Sequence, residues 1–132
     1  MHTGHKLKVN QRLTSRNGKY WFVIEDDGNL CLYKEGELLF DPQTNLKMKG
    51  PKSGWHLILQ KDANCCLYDG NGDCQLSSGT DGYSSCADSD QNQRIVMQDD
   101  GNLVQYTSNM HPVWCTRTEG GMQSKGVDFC GN

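Results

Sequence analysis

The chain lacks any run approaching the roughly 18 consecutive apolar residues of a membrane-crossing helix, which argues against membrane insertion. Leu, Ile, Val and Phe supply only 24 of its 132 residues, too few for a thick core. Such poverty accompanies disorder when net charge is also high, but here the net charge is −3. No block of like charges is present, which excludes nucleic acid and anionic membrane surfaces as natural partners. Met1-His2-Thr3-Gly4-His5-Lys6-Leu7-Lys8 has no apolar signal-peptide core. There is no Asn-x-Ser/Thr acceptor and no Cys-x-x-Cys pair of the kind that holds zinc. Asp26-Asp27-Gly28-Asn29 lacks the spaced ligands and closing Glu of a calcium loop. No cofactor or metal ion is therefore expected.

What remains is rich in turns and flat side chains: 15 Gly, three Trp and five Tyr. That composition points to an all-β domain whose aromatics supply much of the buried area. Seven Cys leave an odd thiol if the rest pair. Cys74 with Cys86 and Cys115 with Cys130 are the simplest bridges, although sequence does not fix connectivity.

One nine-residue pattern occurs three times. Glu25-Asp26-Asp27-Gly28-Asn29-Leu30-Cys31-Leu32-Tyr33 is followed by Gln60-Lys61-Asp62-Ala63-Asn64-Cys65-Cys66-Leu67-Tyr68 and Gln98-Asp99-Asp100-Gly101-Asn102-Leu103-Val104-Gln105-Tyr106. Each reads amide or acid, x, Asp, x, Asn, x, small apolar, x, Tyr. Twelve residues upstream of each copy align without a gap: a polar, turn-rich half, then Phe22-Val23-Ile24, Leu57-Ile58-Leu59 or Ile95-Val96-Met97. The asparagines at 29, 64 and 102 set periods of 35 (64 − 29) and 38 (102 − 64), the length of a blade or prism repeat. The apolar positions follow period 2 and not 3.6, which selects strands over helices. A single domain spanning residues 1–132 is expected, with repeats of about 5–41, 42–80 and 81–118 and a Gly-rich tail over 119–132.

In extended backbone, alternate residues share a face. The motif's polar row then lies on one side, while Gly28, Leu30 and Leu32, Ala63, Cys65 and Leu67, and Gly101, Leu103 and Gln105 face a core. Gln105 breaks that apolar pattern. Asp27-Gly28 and Asp100-Gly101 are also hairpin-turn signals, and a bulge or bend there keeps the row convergent. Ala63 in the second copy favours a bend without positive φ.

The polar row suits a sugar. A pyranose hydroxyl both donates and accepts, and leaving a buried partner unmatched costs about 1–3 kcal/mol. Asp supplies acceptors, Asn and Gln supply both functions, and Tyr supplies a hydroxyl and a flat edge. The row contains no nucleophile–base pair, so an enzyme is not expected. Paired carboxylates such as Glu25 and Asp27 raise glycoside hydrolysis, and no turnover is expected of them.

The motif resembles that of the bulb-type (monocot or lily-type) mannose-binding lectins, whose repeat reads Gln-x-Asp-x-Asn-x-Val-x-Tyr, over about residues 5–118. The resemblance implies an all-β, β-prism II fold: three four-stranded antiparallel sheets with pseudo-threefold symmetry and one metal-independent mannose site per sheet. In that family Asp and Asn contact the axial 2-hydroxyl, Gln the 3-hydroxyl, Tyr the 4-hydroxyl, and Val the ring carbons. The third site, Gln98, Asp100, Asn102, Val104 and Tyr106, is intact. The second has Gln60, Asp62, Asn64 and Tyr68, with Cys66 in the Val position. The first, Glu25, Asp27, Asn29, Cys31 and Tyr33, departs twice, at Glu25 and Cys31. The family's central Trp appears only as Trp114, with Phe40 and Gln75 near the equivalent places. The implied partners are mannose-containing glycans and glycoproteins. Also implied are a homodimer or tetramer, secretion or a mucus-associated location, and a defence role. The alternative is a degenerate prism that contacts proteins without binding sugar.

Overall fold

A computed structural model describes residues 1–80 and 93–123. It contains eleven strands: β1 Lys6–Lys8, β2 Arg12–Thr14, β3 Tyr20–Ile24, β4 Leu30–Lys34, β5 Glu37–Phe40, β6 His56–Leu59, β7 Cys65–Tyr68, β8 Cys74–Ser77, β9 Arg94–Met97, β10 Leu103–Tyr106 and β11 Pro112–Cys115. They form three antiparallel sheets, β2-β3-β4-β5, β1-β6-β7-β8 and β11-β10-β9. The β-prism architecture expected from the motif is thus present, with the third sheet three-stranded among the described residues. Its outer edge carries an isolated bridge between His2 and Arg94. The Met1 amino group donates to Ile95 O at 3.0 Å, and β1 pairs with β6. The first eight residues therefore strap the second and third sheets together.

Each motif lies on the hairpin of its sheet, β3–β4, β6–β7 or β9–β10. Equivalent registers are Ile24 opposite Leu30, Leu59 opposite Cys65 and Met97 opposite Leu103. The third strand counted from the start of each motif hairpin, β5, β8 or β11, joins with a register shift just before the motif Tyr, at Leu32/Tyr33, Leu67/Tyr68 and Gln105/Tyr106. Bulges at one place in all three copies sharpen the strand twist and help each sheet curl around the shared core.

The core is filled by equivalent residues: Phe22, Leu57 and Ile95 from one strand, and Leu30, Cys65 and Leu103 from the next. Phe40, Leu76 and Trp114 follow, opposite Leu32, Leu67 and Gln105. Each fully buried side chain of this size stabilises the fold by roughly 1.5–3 kcal/mol. The counterpart of Trp114 is Leu76 and not Gln75, because the bulge displaces the register by one residue. Trp114 is 6% exposed, and its Nε1 has no hydrogen-bond partner.

The hairpin loops correct two expectations. Only the last part of each motif is strand; Asp26–Gly28 and its equivalents are turn. Asn29 O accepts from Glu25 N, and Glu25 O accepts from Gly28 N, with matching pairs at Gln60/Asn64/Ala63 and Gln98/Asn102/Gly101. This is a tight turn followed by a left-handed residue, so convergence comes from the loop and not from period-2 alternation. Ala63 takes a positive φ of 77°, like Gly28 at 90° and Gly101 at 94°.

Each loop rests on the next repeat. A Cβ at Gly28 would lie 2.7 Å from Met48 Cγ and 3.1 Å from Trp55. One at Gly101 would lie 2.6 Å from Tyr20 Cε1. Tyr20, Trp55 and Gln93 each stand immediately before the residue that faces the motif Tyr across the sheet, namely Trp21, His56 and Arg94. Where the third copy of this position is Gln93 and not an aromatic, the loop it faces carries Ala63 and not Gly. Gly101→Ala combines strain at positive φ with overpacking. It is expected to destabilise the fold by about 2–4 kcal/mol, read as a lower urea midpoint with unchanged m.

Candidate functional site

Asp27, Asp62 and Asp100 each accept the backbone N–H of the Asn two residues on, at 2.9, 2.9 and 2.8 Å. This Asx turn follows from the Asp-x-Asn spacing. It consumes one carboxylate oxygen and leaves the other toward solvent.

A hydroxyl relay then fixes the loop to its sheet. In the second copy Cys65 N donates to Ser78 Oγ at 3.0 Å, Ser78 and Thr80 hydroxyls are 2.7 Å apart, and Thr80 Oγ1 donates to Ala63 O at 2.6 Å. In the third, Leu103 N donates to Thr116 Oγ1 at 3.2 Å, Thr116 meets Thr118 at 2.8 Å, and Thr118 Oγ1 donates to Gly101 O at 2.5 Å. Thr44 performs both roles alone in the first copy, accepting from Leu30 N at 2.9 Å and donating to Gly28 O at 2.7 Å. These hydroxyls were not singled out from sequence. The only signal was the pair of hydroxyl residues at i and i+2 beyond the third strand.

The same segments orient each Asn. Gly79 N and Thr80 N donate to Asn64 Oδ1 at 2.9 and 3.3 Å, and Thr118 N donates to Asn102 Oδ1 at 3.3 Å. A backbone N–H can only donate, so the amide oxygen must face it and Nδ2 must face away. Neither Nδ2 has a protein partner among the described residues. The first copy differs: Asn29 Oδ1 accepts from Thr44 N at 3.1 Å, but Nδ2 donates to Asp41 Oδ1 at 2.8 Å. Asn29 is buried, whereas Asn64 and Asn102 are partly open.

The far end of the row differs in the same sense. Gln60 Nε2 donates to Tyr68 OH, and Gln98 Nε2 to Tyr106 OH, so neither phenol spends its hydrogen on its glutamine. Tyr33 OH instead donates to Glu25 Oε2 at 2.6 Å, and Cys31 Sγ to Glu25 Oε1 at 3.3 Å. Burial, then Glu25, pushes both the Cys31 thiol and the Tyr33 phenol above their ordinary values. Cys31, Cys66 and Val104 are almost wholly buried beneath their rows, so each offers only a small apolar floor.

The neighbouring strand sets different walls. Trp21 lies beside Tyr33 with ring centroids 5.9 Å apart and carries Arg12 at 4.9 Å from its own centroid. These residues, with Asn10 and Glu25, line a groove next to the first site. His56 stacks on Tyr68 at 5.4 Å while Nδ1 donates to Gly54 O at 2.8 Å, which supplies the partners that sequence did not reveal.

Cys74 is a free, exposed thiol and not the half of a bridge to Cys86. Cys115 is disulfide-bonded; Cys86 and Cys130 lie outside the described residues. Burial, then the nearby Cys74 thiol, pushes Cys66 up to about 12, and burial first of all raises Cys65. A raised thiol stays protonated, and so unreactive, until the pH approaches its new value. Of the four reduced thiols among the described residues, Cys74 should be alkylated first by iodoacetamide at pH 8. Equal labelling of Cys66 in peptide mass maps would contradict the arrangement.

No protein-family model and no curated protein matches the sequence. Solved structures do. A lectin of the fungus Marasmius oreades shares 27% identity over 91% of each chain, with a TM-score of 0.73. A monomeric monocot mannose-binding lectin of Gastrodia elata shares 24% over 90% of this chain and 96% of its own, also at 0.73. The mannose-specific agglutinin of snowdrop, Galanthus nivalis, solved with methyl-α-D-mannoside, shares 24% over 80% of this chain and 86% of its own, at 0.67. All three of these proteins are lectins. Three antiparallel sheets, one motif on the equivalent hairpin of each, and a backbone shared with these proteins give the chain the β-prism II fold of the bulb-type lectins.

Proposed function

We propose that the chain binds terminal α-mannose, or mannose-rich glycans, through its second and third hairpin sites, without a metal ion. The observation that carries this reading is the orientation of Asn64 and Asn102. Each has its oxygen held by backbone donors, which leaves its Nδ2 open, two residues along the turn from an Asp with one carboxylate oxygen unused. A sugar hydroxyl must both donate and accept, and this pair meets both needs at one point. The Gln–Tyr pair offers a second such point on the same row. The mannoside complex of the snowdrop protein supports the choice of sugar.

The first site is the exception. Asp41 takes the donor of Asn29, and Glu25 takes the hydrogen of Tyr33. One Asn29 N–H and the Tyr33 hydrogen are thus already spent, and a hydroxyl placed there finds fewer donors to accept from than at the other two sites. The chain then carries two working sites, ranked third before second because Cys66 replaces Val.

Single shallow sites of this type bind on the order of millimolar, about 4 kcal/mol, and useful avidity comes from several sites engaging one glycan surface. Whether further copies add sites through a homodimer or tetramer is read by light scattering.

Retention on mannose-agarose in EDTA, with elution by mannose and not by galactose, is the expected behaviour. Failure to bind moves the weight to a protein-contact role. Asn102→Ala should remove the third site, while Asn29→Ala should leave mannose binding within twofold of the parent. Equal losses in the two variants would overturn the site ranking. Conversely, Glu25→Gln with Asp41→Ala frees both donors. In an NMR titration with methyl α-mannoside, the amides of Gly28 and Asn29 should then respond, raising the number of occupied sites from two to three. Unchanged shifts at those amides would show that donor loss is not what silences the first site.

A further inference from the structure

Gln105 is fully buried on β10, facing the core where the other two repeats carry Leu32 and Leu67. It belongs by sequence to the third motif, between Val104 and Tyr106. Its hydrogen bonds belong elsewhere. Nε2 donates to Ala63 O at 2.6 Å and to Gln93 Oε1 at 2.8 Å. Ala63 is the left-handed residue between Asp62 and Asn64, in the loop of the second site. Gln105 Oε1 lies 3.3 Å from Thr80 Oγ1. The Thr80 hydroxyl already donates to Ala63 O, and its backbone N–H holds Asn64 Oδ1.

We infer that Gln105 is a positioning residue for the second sugar site, and that it acts there from within the strand that carries the third. This rests on the mannose reading of both sites. The physical reason lies in the buttress that each loop draws from the next repeat. The first and third loops have Gly at the left-handed position, pressed by the rings of Trp55 and Tyr20. The second loop carries a Cβ at that position, and an L residue at positive φ costs roughly 1–2 kcal/mol. At the position that holds Trp55 and Tyr20 in the other repeats, the third repeat has Gln93. The loop is held by polar contacts instead. Ala63 O, wholly inside the protein, accepts from both Gln105 Nε2 and Thr80 Oγ1. Buried polar groups that share partners in this way form or fail together. Removing Gln105 releases the Ala63 carbonyl and leaves Gln93 Oε1 without this donor. The loop and the Thr80 segment lose their common anchor, and the two ends that fix Asn64 are free to separate. Nothing equivalent connects Gln105 to the third loop, whose Gly101 carbonyl is held by Thr118 and whose back is Tyr20.

Gln105→Leu tests this, because Leu is what the other repeats hold and has nearly the same volume. The substitution is made in two parent chains, Asn102→Ala, which keeps the second site, and Asn64→Ala, which keeps the third. Binding of methyl α-mannoside is followed by NMR. Gln105→Leu should weaken binding at least tenfold in the first parent and change it less than twofold in the second. A loss of fold would weaken both alike, so equal weakening overturns the inference, as does unchanged binding at the second site. Thr80→Val, a smaller change to the same anchor, should give the same one-sided loss, and it decides the matter if Gln105→Leu does not fold. The backbone amides of Gly79 and Thr80 give a signature independent of sugar. They should move upfield in Gln105→Leu while the Thr118 amide stays in place. If neither parent chain binds mannoside, the mannose reading has failed, and those amide shifts alone decide the positioning role.

Discussion

Everything distinctive about these sites follows from one choice made by each asparagine: which neighbour takes its amide oxygen, and what that leaves for its nitrogen. An amide has its acceptor and its donor on opposite sides. Holding one aims the other. In the second and third copies the holder is a backbone N–H from the segment beyond the third strand, and the nitrogen is left outward. In the first copy the oxygen is held in the same way, but a carboxylate, Asp41, meets the nitrogen. One acidic side chain turns an open donor into an internal hydrogen bond with no visible change in the loop's path.

The aim holds only because the loop is rigid, and its rigidity comes from three sources stacked in order. The Asp-x-Asn turn closes the tip. The hydroxyl relay ties the tip's carbonyl to a strand N–H. The following repeat presses on the left-handed residue from behind. The last is a tertiary contact that no repeat can make by itself. The first loop leans on Trp55, the second on Gln93 and Gln105, and the third on Tyr20. The order of support runs around the prism and returns to its start.

Much of this was legible in the residues and some was not. Three strictly spaced motifs specified the sheets and the hairpins, because turn chemistry and apolar alternation are local. The departure of the first copy from the other two was visible in Glu25 and Cys31. Its difference at Asn29 was not, since Asp41 lies twelve residues downstream and reaches Asn29 only through the fold. Ala63 was misjudged because local preference disfavours positive φ, and tertiary contacts overrode it. The central position assigned to Gln75 slipped by one residue because a β-bulge leaves no mark in period-2 counting. Gln105, which had no reading as part of its own motif, acquires one only when the neighbouring repeat is brought against it.

The closed order of support has an evolutionary consequence. A change at the left-handed position of one loop is compatible only with certain residues in the repeat that follows, as the company of Ala63 with Gln93 and Gln105 illustrates. Repeats related by duplication are therefore not free to diverge one at a time. The history of each hairpin loop is written partly in its neighbour, and a comparison that aligns the repeats in isolation will miss the covariation that keeps them folded.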